Sequence, residues 1–181
     1  MKIGVVYVAN GQDTQQEILR NSSGSKDYEE FIKALGDVVD LKTHLGFAGG
    51  LKYKTDGEHT IYSSDSLTEV MYHIATMMPL DADDEQVISK KRYATVLYHV
   101  LICVRHIGND HVNIVWCENP RDYRLVVISY IQLLNKFRRR LTISSQYNCV
   151  QIIIYPLKMG LFRVKFYKKD NVIIALRFRL H

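Results

Sequence analysis

Short blocks of apolar residues separated by polar turns recur along this chain and predict several strands. Residues 3–9 read IGVVYVA and end at the turn signal NGQD, as expected of a buried strand followed by a loop. Further apolar, β-branched runs predict strands at VVDL (38–41), HVNIVW (111–116), CVQIIIY (149–155) and LFRVKFY (161–167). The last run alternates apolar and basic residues, which predicts a strand exposed on one face.

Two other segments show helical spacing. The first, residues 24–36, has Ser25 as a candidate N-cap, acidic residues in its first turn and Gly36 as a stop signal. Its apolar positions follow the helical repeat and define one face: Tyr28, Phe31, Ile32 and Leu35.

The second predicted helix runs from about residue 65 to residue 78. Ser66 and Glu69 could form a capping box, and Pro79 would end the helix. On this helix His73 falls on the polar side, which predicts a solvated histidine. The apolar positions keep helical spacing: Leu67, Val70, Met71, Ile74, Ala75 and Met78.

The order of these elements predicts the fold class. Residues 46–62 hold four glycines and a TDG turn, typical of loop and hairpin-like structure, and DADDE (81–85) reads as an acidic surface loop. Strands and helices interleave without an internal repeat or a low-complexity linker. We therefore predict one α/β domain.

The positive charge of the chain is local. The formal net charge is +5, of which residues 125–140 carry +4 and residues 92–104 carry +1, so the remainder is 5 − 4 − 1 = 0. The rest of the chain is electrically balanced, so we do not expect nucleic acid as a partner.

Hydropathy and cysteine content bear on the compartment. The most apolar segment, residues 93–104, is only 12 residues long and contains a histidine, so no transmembrane segment is expected. Nothing resembles a signal peptide. Three cysteines without a CxxC pair fit free thiols in a reducing compartment, and we expect a cytoplasmic protein.

Most motifs of catalysis or cofactor binding are missing from the sequence. The seven histidines form no HxxxH pair on a clear helix and no cluster with the cysteines, so we expect no metal site. Neither glycine-bearing loop is a phosphate-binding motif, and no serine lies in GxSxG. The segment RHIGND (105–110) stands out. Gly108 and Asn109 readily adopt left-handed backbone and could simply cap a helix there.

Several stretches together resemble the Rap/Ral GTPase-activating domain family, which includes tuberin-type domains. RDYR (121–124) with GFAGGL (46–51) looks closest to the catalytic alpha subunits of Ral GTPase-activating complexes. The matching stretches occur in the family's order: KIGVVYVANGQ (2–12), GSKDYEEFIKALGDVVDLKTHLGFAGGL (24–51), EVMYHIATMMP (69–79), KKR (90–92), HIGNDHVNIVWCENPRDYR (106–124) and ISSQYNCVQIIIYPLK (143–158).

The resemblance implies a central mixed β-sheet flanked by helices and a mechanism in which an asparagine thumb enters the active site of a bound GTPase. The thumb's carboxamide helps to orient the water that attacks the γ-phosphate. Asn109 occupies the matching position. The positions expected to contact the GTPase or to support the thumb are Arg105 (or Arg92), His106, Asp110, Lys90 and Lys91.

The resemblance also implies the partners. The activator has no cofactor of its own, because GTP and magnesium are bound by the partner, a Ras-family small GTPase of the Ral, Rap or Rheb type. A second subunit of the activating complex is a further possible partner. Two rival interpretations stay open: a catalytically inactive interaction module, and a basic RNA- or membrane-surface binder resting on FRRR (137–140).

The sequence departs from the family at three places. The domain would span residues 1–172, with atypical inserts at about 92–104 and 125–140 and an unmatched tail at 173–181 where relatives continue. We interpret the inserts as translated introns or a gene-model error, which transcript reads retaining both segments would contradict. The alternative is a genuine insertion in which IQLLNKF (131–137) forms an amphipathic helix for a partner or membrane surface.

Overall fold

In the computed structural model, a seven-stranded mixed sheet forms the centre of the protein. The structure describes residues 1–79, 102–103, 105–118 and 150–168. The strands are β1 (Lys2–Val8), β2 (Asp37–Asp40), β3 (His59–Ser64), β4 (Glu69–Ile74), β5 (Val112–Cys117), β6 (Val150–Pro156) and β7 (Phe162–Lys168). The order across the sheet is β2-β3-β4-β1-β5-β6-β7. β4, β1, β5 and β6 are parallel, and the antiparallel pairs lie at both edges.

Two α-helices lie wholly among the described residues. α1 (Gln15–Leu19) begins with a capping box formed by Thr14 and Glu17. α2 (Lys26–Ala34) has Ser25 as its N-cap, whose hydroxyl oxygen accepts a hydrogen bond from the Tyr28 amide. Both the α/β class and the predicted helix after residue 24 are therefore confirmed. None of the helices in the described ranges is long and apolar enough to span a membrane.

Side chains alternate along each strand, so each central strand sends residues to both faces of the sheet. Both faces are buried, because each is covered by a separate apolar cluster. On one face, Val5 and Trp116 pack with Tyr28 and Ile32 of α2. On the other face, one cluster joins the strands to α1 and to residues 102–107: Val6, Val8, Ile18, Leu19, Met71, Ile102, Cys103, Ile107 and Val115. The second face therefore supports the segment that leads into RHIGND.

The predicted helix over residues 65–78 is wrong, because residues 69–74 form β4 and only Ala75–Met77 form a 3-10 turn. β4 pairs with β3 on one side and with β1 on the other, with Met71 opposite Lys2. Residues 71–74 are all buried, so both faces require apolar residues and the pattern imitates a helical stripe. No capping box forms from Ser66 either, since the Asp65 carboxylate accepts the amides of residues 67 and 68 in the β3–β4 turn.

The strand predicted at residues 161–167 is confirmed as β7, but the expected burial of one face is wrong, because all seven residues of β7 are exposed. It lies at the edge of the sheet, and the described part of the chain covers neither of its faces enough to bury a residue. The other predicted strands are confirmed at β1, β2, β5 and β6. Outside the described residues lie the acidic loop at 81–85, the tail at 173–181, insert 125–140 and nearly all of insert 92–104.

The cap of α2 offers a stability test. Replacing Ser25 by alanine removes the acceptor for the Tyr28 amide and should lower the free energy of unfolding by about 1 kcal/mol. Chemical denaturation measures this loss. Ser23→Ala, at an exposed serine two residues earlier, is the matched control and should stay within about 0.5 kcal/mol of wild type. Equal stability of the two variants would contradict the cap.

Candidate functional site

The segment 105–110 lies directly before β5 on one face of the sheet. Residues 105 and 106 are helical, and Ile107–Asn109 form a 3-10 turn that ends at extended Asp110. The expected helix end is therefore present. The left-handed backbone expected at Gly108 and Asn109 is wrong, because both residues have helical geometry. Asn109 is the last residue of this turn.

Burial separates Asn109 from its neighbours. Ile107 and Asp110 are 0% exposed and Gly108 is buried, whereas Asn109 is half-buried and Arg105 is exposed. The Asn109 side-chain amide donates a hydrogen bond to the Arg105 carbonyl oxygen, one helical turn earlier. The Asn109 side chain is therefore partly accessible, while its buried neighbours hold the backbone against the sheet.

One anchor of the segment is the contact between Asp110 and His73. Asp110 Oδ2 lies 2.8 Å from His73 Nδ1, and both side chains are fully buried. Lys2 Nζ lies 3.9 Å from Asp110 Oδ1. The prediction of a solvated His73 on a helix is therefore wrong. On β4 it shares the buried face of Met71, since residues two apart on a strand point the same way.

A second anchor joins His106 to Asp56. His106 Nε2 lies 3.0 Å from Asp56 Oδ1, although the ring is not aligned with that oxygen for a linear hydrogen bond. The other Asp56 oxygen accepts the Lys52 amide at 2.8 Å, so the TDG turn holds this carboxylate in place. Burial lowers the pKa of His106 from its ordinary value, and the nearby Asp56 carboxylate opposes this shift only in part.

Gly4 of β1 makes room for the segment. A Cβ atom at this position would lie 2.2 Å from Asn113 Oδ1, 2.7 Å from Ile107 Cγ2 and 3.2 Å from Asp110 Oδ2. Gly4 pairs with His73 on β4 and with Asn113 on β5, so it lies between the two strands that the anchor connects. Any larger residue would push the segment away from the sheet.

The structure brings together only part of the predicted site. Asn109, Arg105, His106 and Asp110 lie on the one segment, whereas Lys90 and Lys91 fall outside the described residues. Sequence reasoning missed His73, Asp56 and Gly4. The stretch EVMYHIATMMP (69–79) supported the resemblance, but no role at the site was predicted for His73. Among the described residues, no three His, Cys, Asp or Glu side chains are arranged to hold a metal ion.

Replacing Gly4 by alanine tests this packing. The new methyl group overlaps Asn113 and Ile107, and overpacking of this kind should cost about 1–3 kcal/mol in the free energy of unfolding. Gly11→Ala is the comparison: its Cβ meets no atom within 4 Å, so only left-handed strain of about 1 kcal/mol applies. Denaturation of both variants gives the difference. A Gly4→Ala protein as stable as wild type would rule out the close approach.

Comparison with known proteins agrees with this architecture. The profile of the Rap/ran-GAP family matches residues 18–176. The chain is 40% identical to the probable Rho GTPase-activating protein CG5521 of Drosophila melanogaster over 171 residues, which is 94% of this chain and 7% of that protein. It is equally identical to the human Ral GTPase-activating protein subunit alpha-1 over 172 residues, with the same coverage.

A solved structure, that of the TSC2 GAP domain, is similar with a TM-score of 0.68 and 28% identity, covering 96% of this chain and 83% of that chain. The chain spans about 7% of the length of the two curated relatives. The family profile covers most of the chain, and the fold is similar to that of the TSC2 GAP domain. The chain therefore belongs to the Rap/Ran-GAP family.

Proposed function

We propose that this chain is a GTPase-activating domain that stimulates GTP hydrolysis by a Ras-family small GTPase through Asn109. The observation that carries the proposal is the difference in burial between Asn109 and its neighbours in segment 105–110. Asn109 is half-buried, while Ile107, Gly108 and Asp110 on either side of it are buried. A side chain that must enter a partner's active site needs both accessibility and a fixed backbone.

The chemistry of a carboxamide suits this role. Phosphoryl transfer depends mainly on the position of the attacking water and on stabilisation of charge. A carboxamide can both donate a hydrogen bond to a water molecule and accept one from it. Asn109 can therefore orient the attacking water, as glutamine does in many GTPases. In the free protein the amide is held by the Arg105 carbonyl oxygen. Engagement of a GTPase would exchange this hydrogen bond for one with the water or the phosphate.

The proposal also assigns partners and location. The GTP and the magnesium ion belong to the GTPase, so the chain is an activator and not itself a hydrolase. Similarity to a protein named as a Ral GTPase-activating subunit favours Ral as the substrate, followed by Rap or Rheb. That relative is named as one subunit, which makes a second subunit a possible partner. We propose a cytoplasmic location, because three cysteines without a CxxC pair fit free thiols in a reducing compartment.

The neighbours of Asn109 divide into two groups by burial. Exposed Arg105 can reach a bound GTPase, and we propose it as a contact residue. His106 is 5% exposed and Asp110 is 0% exposed, so we propose that they support the thumb and do not touch the partner. Lys90 and Lys91 remain proposed GTPase contacts on the resemblance alone.

Single-turnover GTP hydrolysis on a Ral, Rap and Rheb panel tests the function. The wild-type chain should accelerate hydrolysis by one of them, and Asn109→Ala should lose about 100-fold or more of that acceleration, as when one positioned donor is removed. The fold should survive, because Asn109 contributes little to the core.

Asn10→Ala is the matched control, since it deletes an exposed carboxamide in the turn after β1. It should stimulate the GTPase like wild type. Unchanged stimulation by Asn109→Ala would contradict the assignment of the thumb. Binding of a GTPase without any acceleration by a folded wild-type chain would favour the interaction module instead.

A further inference from the structure

A fully buried polar contact lies under the segment that carries Asn109. His73 and Asp110 are both 0% exposed, and their Nδ1 and Oδ2 atoms are 2.8 Å apart. A buried histidine–carboxylate pair contributes weakly to stability, because desolvation of the two groups offsets their attraction. Apolar residues of similar volume would fill the same space, so stability alone gives no reason for this pair.

The contact connects parts of the sheet that are not adjacent. His73 lies on β4, Asp110 precedes β5, and β1 runs between these two strands. The Asp110 side chain therefore crosses β1 to reach His73. It does so at Gly4, where a Cβ atom would come within 3.2 Å of Asp110 Oδ2. The C-terminal end of the Asn109 turn is thus held by a residue of β4, which is separated from β5 by β1.

The His73 ring has little freedom to move. A Cβ atom on Gly49, in the GFAGGL loop, would lie 3.0 Å from His73 Nε2. The His106 ring packs against His73 at a tilt of 67°, with ring centroids 5.0 Å apart. Asp56 in turn lies 3.0 Å from His106. His73 is therefore the common neighbour of the glycine loop and of both ends of segment 105–110.

We propose that His73 is a positioning residue for the Asn109 thumb, setting the orientation of segment 105–110 through Asp110 and His106. This inference rests on the proposed function. His73 is fully buried, so it does not meet the GTPase. Its loss should therefore lower the rate within the complex and leave the affinity for the GTPase nearly unchanged. A displacement of about 1 Å in a positioned group can reduce a rate by about 100-fold.

The test compares His73→Leu and His73→Asn with wild type in GTPase stimulation at increasing GTPase concentration. Leucine removes the contact with Asp110, and we expect kcat to fall by about 100-fold while KM for the GTPase changes little. Asparagine carries a donor close to the position of Nδ1, so His73→Asn should recover most of the rate. If the leucine variant does not fold, His73→Gln takes its place, because its amide lies farther along the side chain.

Tyr28→Phe is the control for general destabilisation. The Tyr28 hydroxyl lies 3.1 Å from Thr76 Oγ1, and the Tyr28 ring packs on the opposite face of the sheet. The substitution therefore deletes a partly buried contact away from Asn109. It should keep wild-type kcat. An unchanged kcat in folded His73→Leu, a change in KM alone, or an equal loss in Tyr28→Phe would overturn the positioning role.

Hydrogen exchange separates this inference from the proposed function. The Asp110 amide donates to the Ile107 carbonyl oxygen at 3.2 Å, and its exchange requires the turn to open. It should exchange roughly tenfold faster in His73→Leu than in wild type or Tyr28→Phe. Equal exchange in all three would overturn the anchor. Faster exchange in His73→Leu, together with a wild-type chain that stimulates no GTPase, would disprove the proposed function and retain the anchor.

Discussion

The burial of β1 on both faces is the constraint on which the rest of the structure depends. Parallel pairing with β4 and β5 places this strand at the centre of the sheet, and its residues 3–8 are all buried. Side chains of β1 point alternately to the two faces and contribute to two separate apolar clusters, one under α2 and one under segment 105–110. The single glycine in the strand, Gly4, lies where the second core must admit a polar side chain.

Physical reasoning on the sequence identified β1, α2, β5 and β6 because each has a pattern with one dominant explanation. α1 could also have been predicted, since Thr14 and Glu17 form the T-x-x-E signature of a capping box. β4 could not be distinguished by periodicity, because a strand buried on both faces has no alternation to show. Its pairing partners are remote in sequence, and only the assembled sheet reveals them.

The same limit applies to the candidate site. Asn109 was found through the resemblance, and its surroundings depend on contacts between residues far apart in the chain. His73 and Asp110 are 37 positions apart, and nothing local to either residue indicates the other. The error on His73 followed directly from the error on β4, because a helix and a strand place position 73 on different faces. Site geometry is therefore less predictable from sequence than the elements that carry it.

These features fit one account of function. A turn fixed by buried contacts presents one accessible carboxamide, and phosphoryl transfer rewards such positioning in the transition state. The most direct measurement is the affinity of the chain for its GTPase loaded with GDP and aluminium fluoride, a transition-state analogue, compared with GDP alone. The account predicts at least about 100-fold tighter binding of the analogue by wild type and no such preference in Asn109→Ala. Equal affinity of wild type for both forms would contradict it.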